Sequence, residues 1–185
     1  MYEKELKIIS DASKLNTLTF FVGAGVSRVS GVKKWSELID AFCIEMGLQP
    51  KGSYSNDECL AIPQKYFYFI NEDKNVYYGF LKKHLATNAD TNIVHHLIYA
   101  LNPNSIITTN FDDLLEKAAI QNCLSYKSIA KDSDVSSING SRYILKVHGD
   151  LKNENVVLKE EDYLNYSNSF KLIETLVKSV FSTNT

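Results

Sequence analysis

The apolar residues of this chain fall into short runs and helical stripes that alternate along it. Leu18-Thr19-Phe20-Phe21-Val22 runs straight into Gly23-Ala24-Gly25. It is apolar on successive rather than alternate positions, so 18–25 reads as a fully buried strand ending in a glycine turn. Ahead of it, Met1 to Ser13 carries Leu6, Ile8 and Ile9 and reads as a short helix. Beyond it, Trp35, Leu38, Ile39, Phe42, Cys43 and Met46 recur at helical spacing, with Gly47 placed to stop the helix. The region 58–86 reads as mostly helical and rich in aromatics, and Asp90 to Leu101 as a helix with Ile93, Leu97, Ile98 and Leu101 on one face. Residues 105–109 form a second buried run, followed by a helix marked by Phe111, Leu114, Leu115 and Ala118. A third strand is expected over 142–150 and a short fourth over 155–159, with one long amphipathic helix from Glu160 to Phe181.

Strands alternating with helices predict an α/β fold with a parallel sheet, interrupted by a helical insertion over about 50–100. The stretch 49–58 is the most loop-like, and Pro50, Pro63 and Pro103 fall where connections or helix starts are expected. A sheet of this kind normally gains another buried strand after the last helix. The 185 residues are therefore expected to be one domain, 1–185, forming the N-terminal part of a longer protein and lacking the last strand or strands of the full domain.

Composition narrows the function classes. The formal net charge is −2, and the short basic stretches at 31–34 and 81–84 are too small for binding that rests on phosphate neutralisation. No nucleic acid partner is indicated. No run approaches the roughly 18 apolar residues of a membrane span, and the charged N-terminus lacks an apolar signal core. A soluble, cytoplasmic chain without a membrane partner is expected. Cys43, Cys59 and Cys123 stand far apart, so a zinc site built on cysteine pairs is not expected.

The informative polar residues stand at the strand ends. The first strand ends in Gly23-Ala24-Gly25-Val26-Ser27, the second in Thr108-Thr109-Asn110-Phe111-Asp112, the third in His148-Gly149-Asp150. In open parallel sheets, ligands bind in the crevice beyond the carboxyl ends of the strands. The glycines allow a tight turn and close approach of backbone to a ligand, and N–H groups opening the next helix can hold a phosphate. Glycines serving a turn for steric reasons alone fit the same three residues. Asn110 and Asp112 suit helix capping as well as a site. His148 suits proton transfer near neutral pH, or a histidine held by ordinary hydrogen bonds.

Taken together, "VGAGVS", "TTNFDDLLEKA" and "KVHGDL", in that order, resemble the Sir2 (sirtuin) family. More narrowly they resemble the zinc-less SIR2-like domains of bacterial antiphage-defence proteins. The resemblance covers about residues 15–181 and implies a Rossmann-like sheet with helices on both faces. It departs from the protein-deacylating sirtuins in lacking their zinc-binding cysteine pairs, and in having "GVKKWSELI" where they carry a Gly-Ile-Pro-x-Phe-Arg stretch. What it implies is an NAD+ hydrolase with NAD+ as substrate and no metal. Gly23, Ala24 and Gly25 would hold the diphosphate, assisted by Ser27; Thr109 and Asp112 would also bind the dinucleotide, Asp112 through the nicotinamide carboxamide. Asn110 and His148 would be catalytic. The resemblance further implies control by homo-oligomer assembly, by a C-terminal effector or sensor domain, by a partner protein or by a phage trigger. A dinucleotide sensor without catalysis is the alternative, followed by an NAD-dependent deacylase. Tyr66, Phe67, Phe69, Ile70, Tyr77 and Phe80 are expected on the inner face of helices covering the sheet rather than stacked on bases, and His95-His96 is expected to be structural.

Overall fold

The computed structural model describes residues 2–85 and 88–183. Four parallel strands, β1 (Thr19–Val22), β2 (Ser105–Thr108), β3 (Lys127–Ile129) and β4 (Tyr143–Lys146), form one sheet in the order β1-β2-β4-β3. The expected α/β architecture with helices on both faces is the one found. Register explains it: Ile106 pairs with Ile144 and Ile107 with Leu145, and successive strand residues point to opposite faces. Ile106 and Ile144 join Ile98, Tyr99, Leu115 and Ala118 from α6 (Ile93–Ala100) and α7 (Leu114–Gln121). Ile107 and Leu145 join Phe170, Ile173 and Val180 at α10 (Lys171–Thr183).

The helical insertion has a core of its own. Phe42 of α3 (Trp35–Glu45) stacks on Phe80 of α5 (Lys74–Leu85) with ring centroids 4.5 Å apart, and meets Tyr66 of α4 (Asn56–Phe69) at 5.0 Å. Ser55 opens α4 by accepting the Glu58 N–H while the Glu58 carboxylate accepts the Ser55 N–H, a reciprocal cap. Gly47, at φ +72°, ends α3 as its position suggested. Tyr66, Phe67, Tyr77 and Phe80 line this core, which holds no strand residue among the described residues, rather than a face laid over the sheet, and Phe69 is exposed.

Several expectations are corrected. β1 is an edge strand whose Phe21 is largely exposed, because β1 pairs with β2 alone among the described residues. α1 (Glu3–Lys14) forms, but buries none of its residues; Met1 lies outside the described residues. The face that α6 buries is His95, Ile98 and Tyr99, not Ile93 and Leu97, which are exposed. Pro63 sits inside α4 rather than at a connection. The segment 155–159 is not a strand: Val156, Val157 and Leu158 are buried, but the Val157 N–H bonds to the His148 carbonyl in a connection. The fourth strand is β3, three residues too short and too polar to announce itself as an apolar run. The single helix expected over 160–181 is three: α8 (Glu160–Leu164), α9 (Tyr166–Ser169) and α10. The last begins where the Asp132 carboxylate accepts the N–H groups of Leu172 and Ile173. That cap comes from a distant turn and has no local signal. Residues 86, 184 and 185, within or beyond expected helices, lie outside the described residues, as does 87.

Candidate active site

The parallel arrangement carries the ends of β1, β2 and β4 to one edge of the sheet, where the three motifs stand. Their local structure follows from neighbouring strands. β1 and β2 are hydrogen-bonded in register, so the residues leaving each strand meet. Thr108, the last residue of β2, donates its hydroxyl to the Val22 carbonyl (2.8 Å) and accepts the Asn110 N–H (3.1 Å). This brings the buried Asn110 side chain under the glycine turn. Its Nδ2 donates to the Gly23 carbonyl (3.3 Å) and to Ser27 Oγ (3.1 Å). Asn110 therefore does not cap a helix. Its Oδ1 is buried with no partner among the described residues, a spare acceptor whose burial is costly unless something meets it.

The glycine turn is bare. A Cβ added to Gly23 or Gly25 would meet nothing within 4 Å. Ala24 and Gly25 open the short helix α2 (Gly25–Arg28), and N–H groups at such a start have no partner within the helix. Ser27, by contrast, is 1% exposed and points inward to Asn110. Its hydroxyl oxygen accepts the Asn110 amide N–H rather than facing the open side of the turn.

Asp112, one residue ahead of the α7 N-cap, accepts the Leu114 N–H through Oδ1 at 3.1 Å, while the N-cap residue Asp113 forms an exposed ion pair with Lys117 at 2.9 Å. Behind this turn lies Lys146, 2% exposed, which donates to the Asp112 carbonyl (2.6 Å) and to Glu116 (3.2 Å). A lysine in an otherwise apolar strand is the one sequence signal that could have found it. A cavity of about 810 Å³ opens here, lined among others by Phe111, Asp112, Glu116, Lys146 and Asp150. Thr109, between Thr108 and Asn110 in the chain, is half-buried.

His148 follows β4 and is held differently. Its ring lies 6.5 Å from Phe111 and 5.6 Å from Tyr163 of α8, centroid to centroid. Burial among these rings pushes its pKa down, keeping the imidazole neutral and able to accept a proton. The next residue, Gly149, has φ +68°, and a Cβ there would come within 2.3 Å of the Asn155 carbonyl. Asp150 is buried rather than at the surface, closing the turn by accepting the N–H and Nδ2 of Asn153 at 2.7 and 2.9 Å. The structure thus brings Gly23, Ser27 and Asn110 together and turns Asp112 towards the cavity. Phe111, whose ring also lies 6.1 Å from Trp35, lines that cavity and lies 6.5 Å from His148. Lys146 and Tyr163 are the neighbours that sequence reasoning missed, while Thr108 stood among the strand-end residues without an assigned role. Among the described residues no helix is long and apolar enough to cross a membrane, and no group of three or more metal-binding side chains converges.

Comparison with known proteins agrees with the motifs. The chain is 42% identical over 185 residues to defense-associated sirtuin 2 of Bacillus subtilis, which covers 97% of this chain and 18% of that protein. It is 24% identical over 190 residues to the NAD(+) hydrolase ThsA of Enterococcus faecium, covering 97% of this chain and 38% of that one. It is 33% identical over 123 residues to an NAD-dependent protein deacetylase of Staphylococcus aureus (strain N315), covering 63% of this chain and 45% of that one. The chain thus spans about a fifth to two fifths of the length of the first two relatives. Residues 104–185 match the model of the SIR2-like domain.

Proposed function

We propose that this domain binds NAD+ against the glycine turn and hydrolyses the bond between nicotinamide and ribose. The observation that carries the reading is the Asn110 amide. It is locked by the Gly23 carbonyl and Ser27 Oγ beside bare glycine backbone, and keeps a buried acceptor free. The N–H groups at Ala24 and Gly25 meet the diphosphate. Asn110 Oδ1 accepts from a ribose hydroxyl or from the attacking water. His148, neutral through burial, takes the proton released as water adds to the ribose carbon. The bond from that carbon to the pyridinium nitrogen breaks, and its electron pair leaves with neutral nicotinamide. NAD+ and water become nicotinamide, ADP-ribose and one proton. Asp112 binds the carboxamide, and Thr109 adjoins the dinucleotide. The names of the relatives support hydrolysis, and extend the proposal to NAD+ depletion in antiphage defence. In that setting the domain works in the cytoplasm as an oligomer, restrained until a partner domain, a partner protein or a phage component releases it.

The test is release of nicotinamide and ADP-ribose from NAD+, followed by chromatography, with Asn110→Ala and His148→Ala in parallel. Release by the parent and a loss of about 10²-fold or more in each variant is expected. Binding of NAD+ without release by the parent would replace hydrolysis with a sensor function. No binding would overturn the site.

A further inference from the structure

Lys146 ends β4 with its side chain only 2% exposed. Burying an ammonium is costly unless it is paired and hydrogen-bonded. A methionine would fill similar space without that cost, so packing does not explain the charge. Its contacts do. Nζ donates to the Asp112 backbone carbonyl at 2.6 Å and to Glu116 Oε1 at 3.2 Å. Ser128 of β3 donates its hydroxyl to the same Glu116 oxygen at 2.8 Å, holding that carboxylate in place beside the ammonium.

Both partners bear on the turn between β2 and α7. The first bond of α7 runs from the Lys117 N–H to the Asp113 carbonyl, so the Asp112 carbonyl stands one residue outside the helix. No backbone donor meets it among the described residues, and Lys146 is its partner. The side chain of Asp112 is fixed as well, its Oδ1 accepting the Leu114 N–H. A carboxylate has a second oxygen, and no hydrogen bond occupies Oδ2 among the described residues. The same two strand ends are tied once more, by the Val147 N–H to the Thr108 carbonyl at 3.0 Å. Lys146 stands two residues before His148, and Asp112 two after Asn110. The ammonium therefore closes the turn that carries Asn110 and Asp112 onto the strand that leads to His148.

We propose that Lys146 is a positioning residue: by holding the Asp112 carbonyl it fixes the Asp112 carboxylate to accept the carboxamide N–H of nicotinamide, while Glu116 neutralises the buried ammonium. The inference rests on the reading of the site as one for NAD+. A carboxylate accepts and does not donate, so it favours a carboxamide, which has N–H donors, over a methyl ketone, which has none. It discriminates well only while it cannot swing away, and ties at both ends of the residue provide that preorganisation.

The experiment measures binding by calorimetry in a His148→Ala background, which prevents turnover. NAD+ is compared with 3-acetylpyridine adenine dinucleotide, in which a methyl replaces the amide nitrogen. The background chain is expected to prefer NAD+ by about tenfold, the worth of one good hydrogen bond. Adding Lys146→Met should reduce that preference to less than about threefold. It should also lower the melting temperature by about 5 °C or more, because Glu116 is left without its cation. Glu116→Gln alone should keep the preference, since its amide oxygen still accepts from Lys146. Joining Glu116→Gln to Lys146→Met removes the stranded charge, so most of the melting loss should be recovered while the preference stays lost. That double variant also carries the test where Lys146→Met does not fold. A preference unchanged without the ammonium, or restored in the double variant together with the melting temperature, would overturn the role of Lys146 and leave the NAD+ site standing. A Glu116→Gln chain as unselective as Lys146→Met would do the same. No preference in the background chain would remove the Asp112 contact and the inference together. Failure to bind either dinucleotide would overturn the NAD+ reading itself.

Discussion

The two sides of the candidate site are built by different means. The Asn110 side is held by hydrogen bonds between adjacent strands: Thr108 to Val22, and Asn110 to Gly23 and Ser27. Its glycines face open space. The His148 side is held by ring contacts and by a left-handed glycine jammed against Asn155. Glycine therefore means opposite things on the two sides. At Gly23 and Gly25 the missing side chain leaves room for something outside the chain. At Gly149 it lets the chain pass close to itself, which is what seats His148 at the end of β4.

The sharpest way to break this comparison is to add one methyl group on each side. Gly149→Ala should destabilise by more than about 3 kcal/mol, because it combines a left-handed φ with contact against backbone. In a chain of this size that lowers the melting temperature by roughly 6–12 °C. Gly23→Ala should shift melting by less than about 2 °C, since surface changes of this kind stay within about 0.5 kcal/mol, while weakening NAD+ binding measurably by calorimetry. Equal melting shifts for the two variants would erase the distinction.

A smaller effect probes the hydrogen-bonded side. Thr108→Val keeps the shape but removes both the donor to Val22 and the acceptor for the Asn110 N–H. A loss of about 1–3 kcal/mol in urea denaturation is expected, together with weaker NAD+ hydrolysis as Asn110 loses its setting. Full activity in a destabilised Thr108→Val chain would show that Asn110 is oriented by Ser27 and Gly23 alone.

The smallest effect is one of pH. Burial holds the His148 pKa below the ordinary histidine value of about 6.5, so the imidazole stays neutral until the pH has fallen further. The acid limb of kcat/KM should accordingly lie below pH 6.5, with a slope of one proton. The sign for stability is the same. The unfolded chain takes up a proton at its ordinary pKa while the folded chain resists, so stability falls as pH drops below about 6.5 and levels off below the folded pKa. An acid limb above 6.5 would mean that His148 is not the titrating base.

Much of this was legible in the residues and part of it was not. The apolar runs at 19–22, 105–108 and 143–146 are strands, and the motifs after them stand at one edge, because a parallel sheet sends every strand end the same way. The stripe through Leu38, Ile39, Phe42 and Cys43 is buried as its spacing predicts. Local patterning therefore determined the element types, the α/β class and the candidates Gly23, Asn110 and His148, since periodicity and turn chemistry are properties of neighbours in sequence. Tertiary structure alone decided that β3 is the fourth strand, that 155–158 is a buried connection, and that Asp132 cuts the last helix. It also decided that Ser27 turns inward, and that Lys146 is buried against the Asp112 carbonyl. These outcomes depend on partners tens of residues away, whose distances only packing sets.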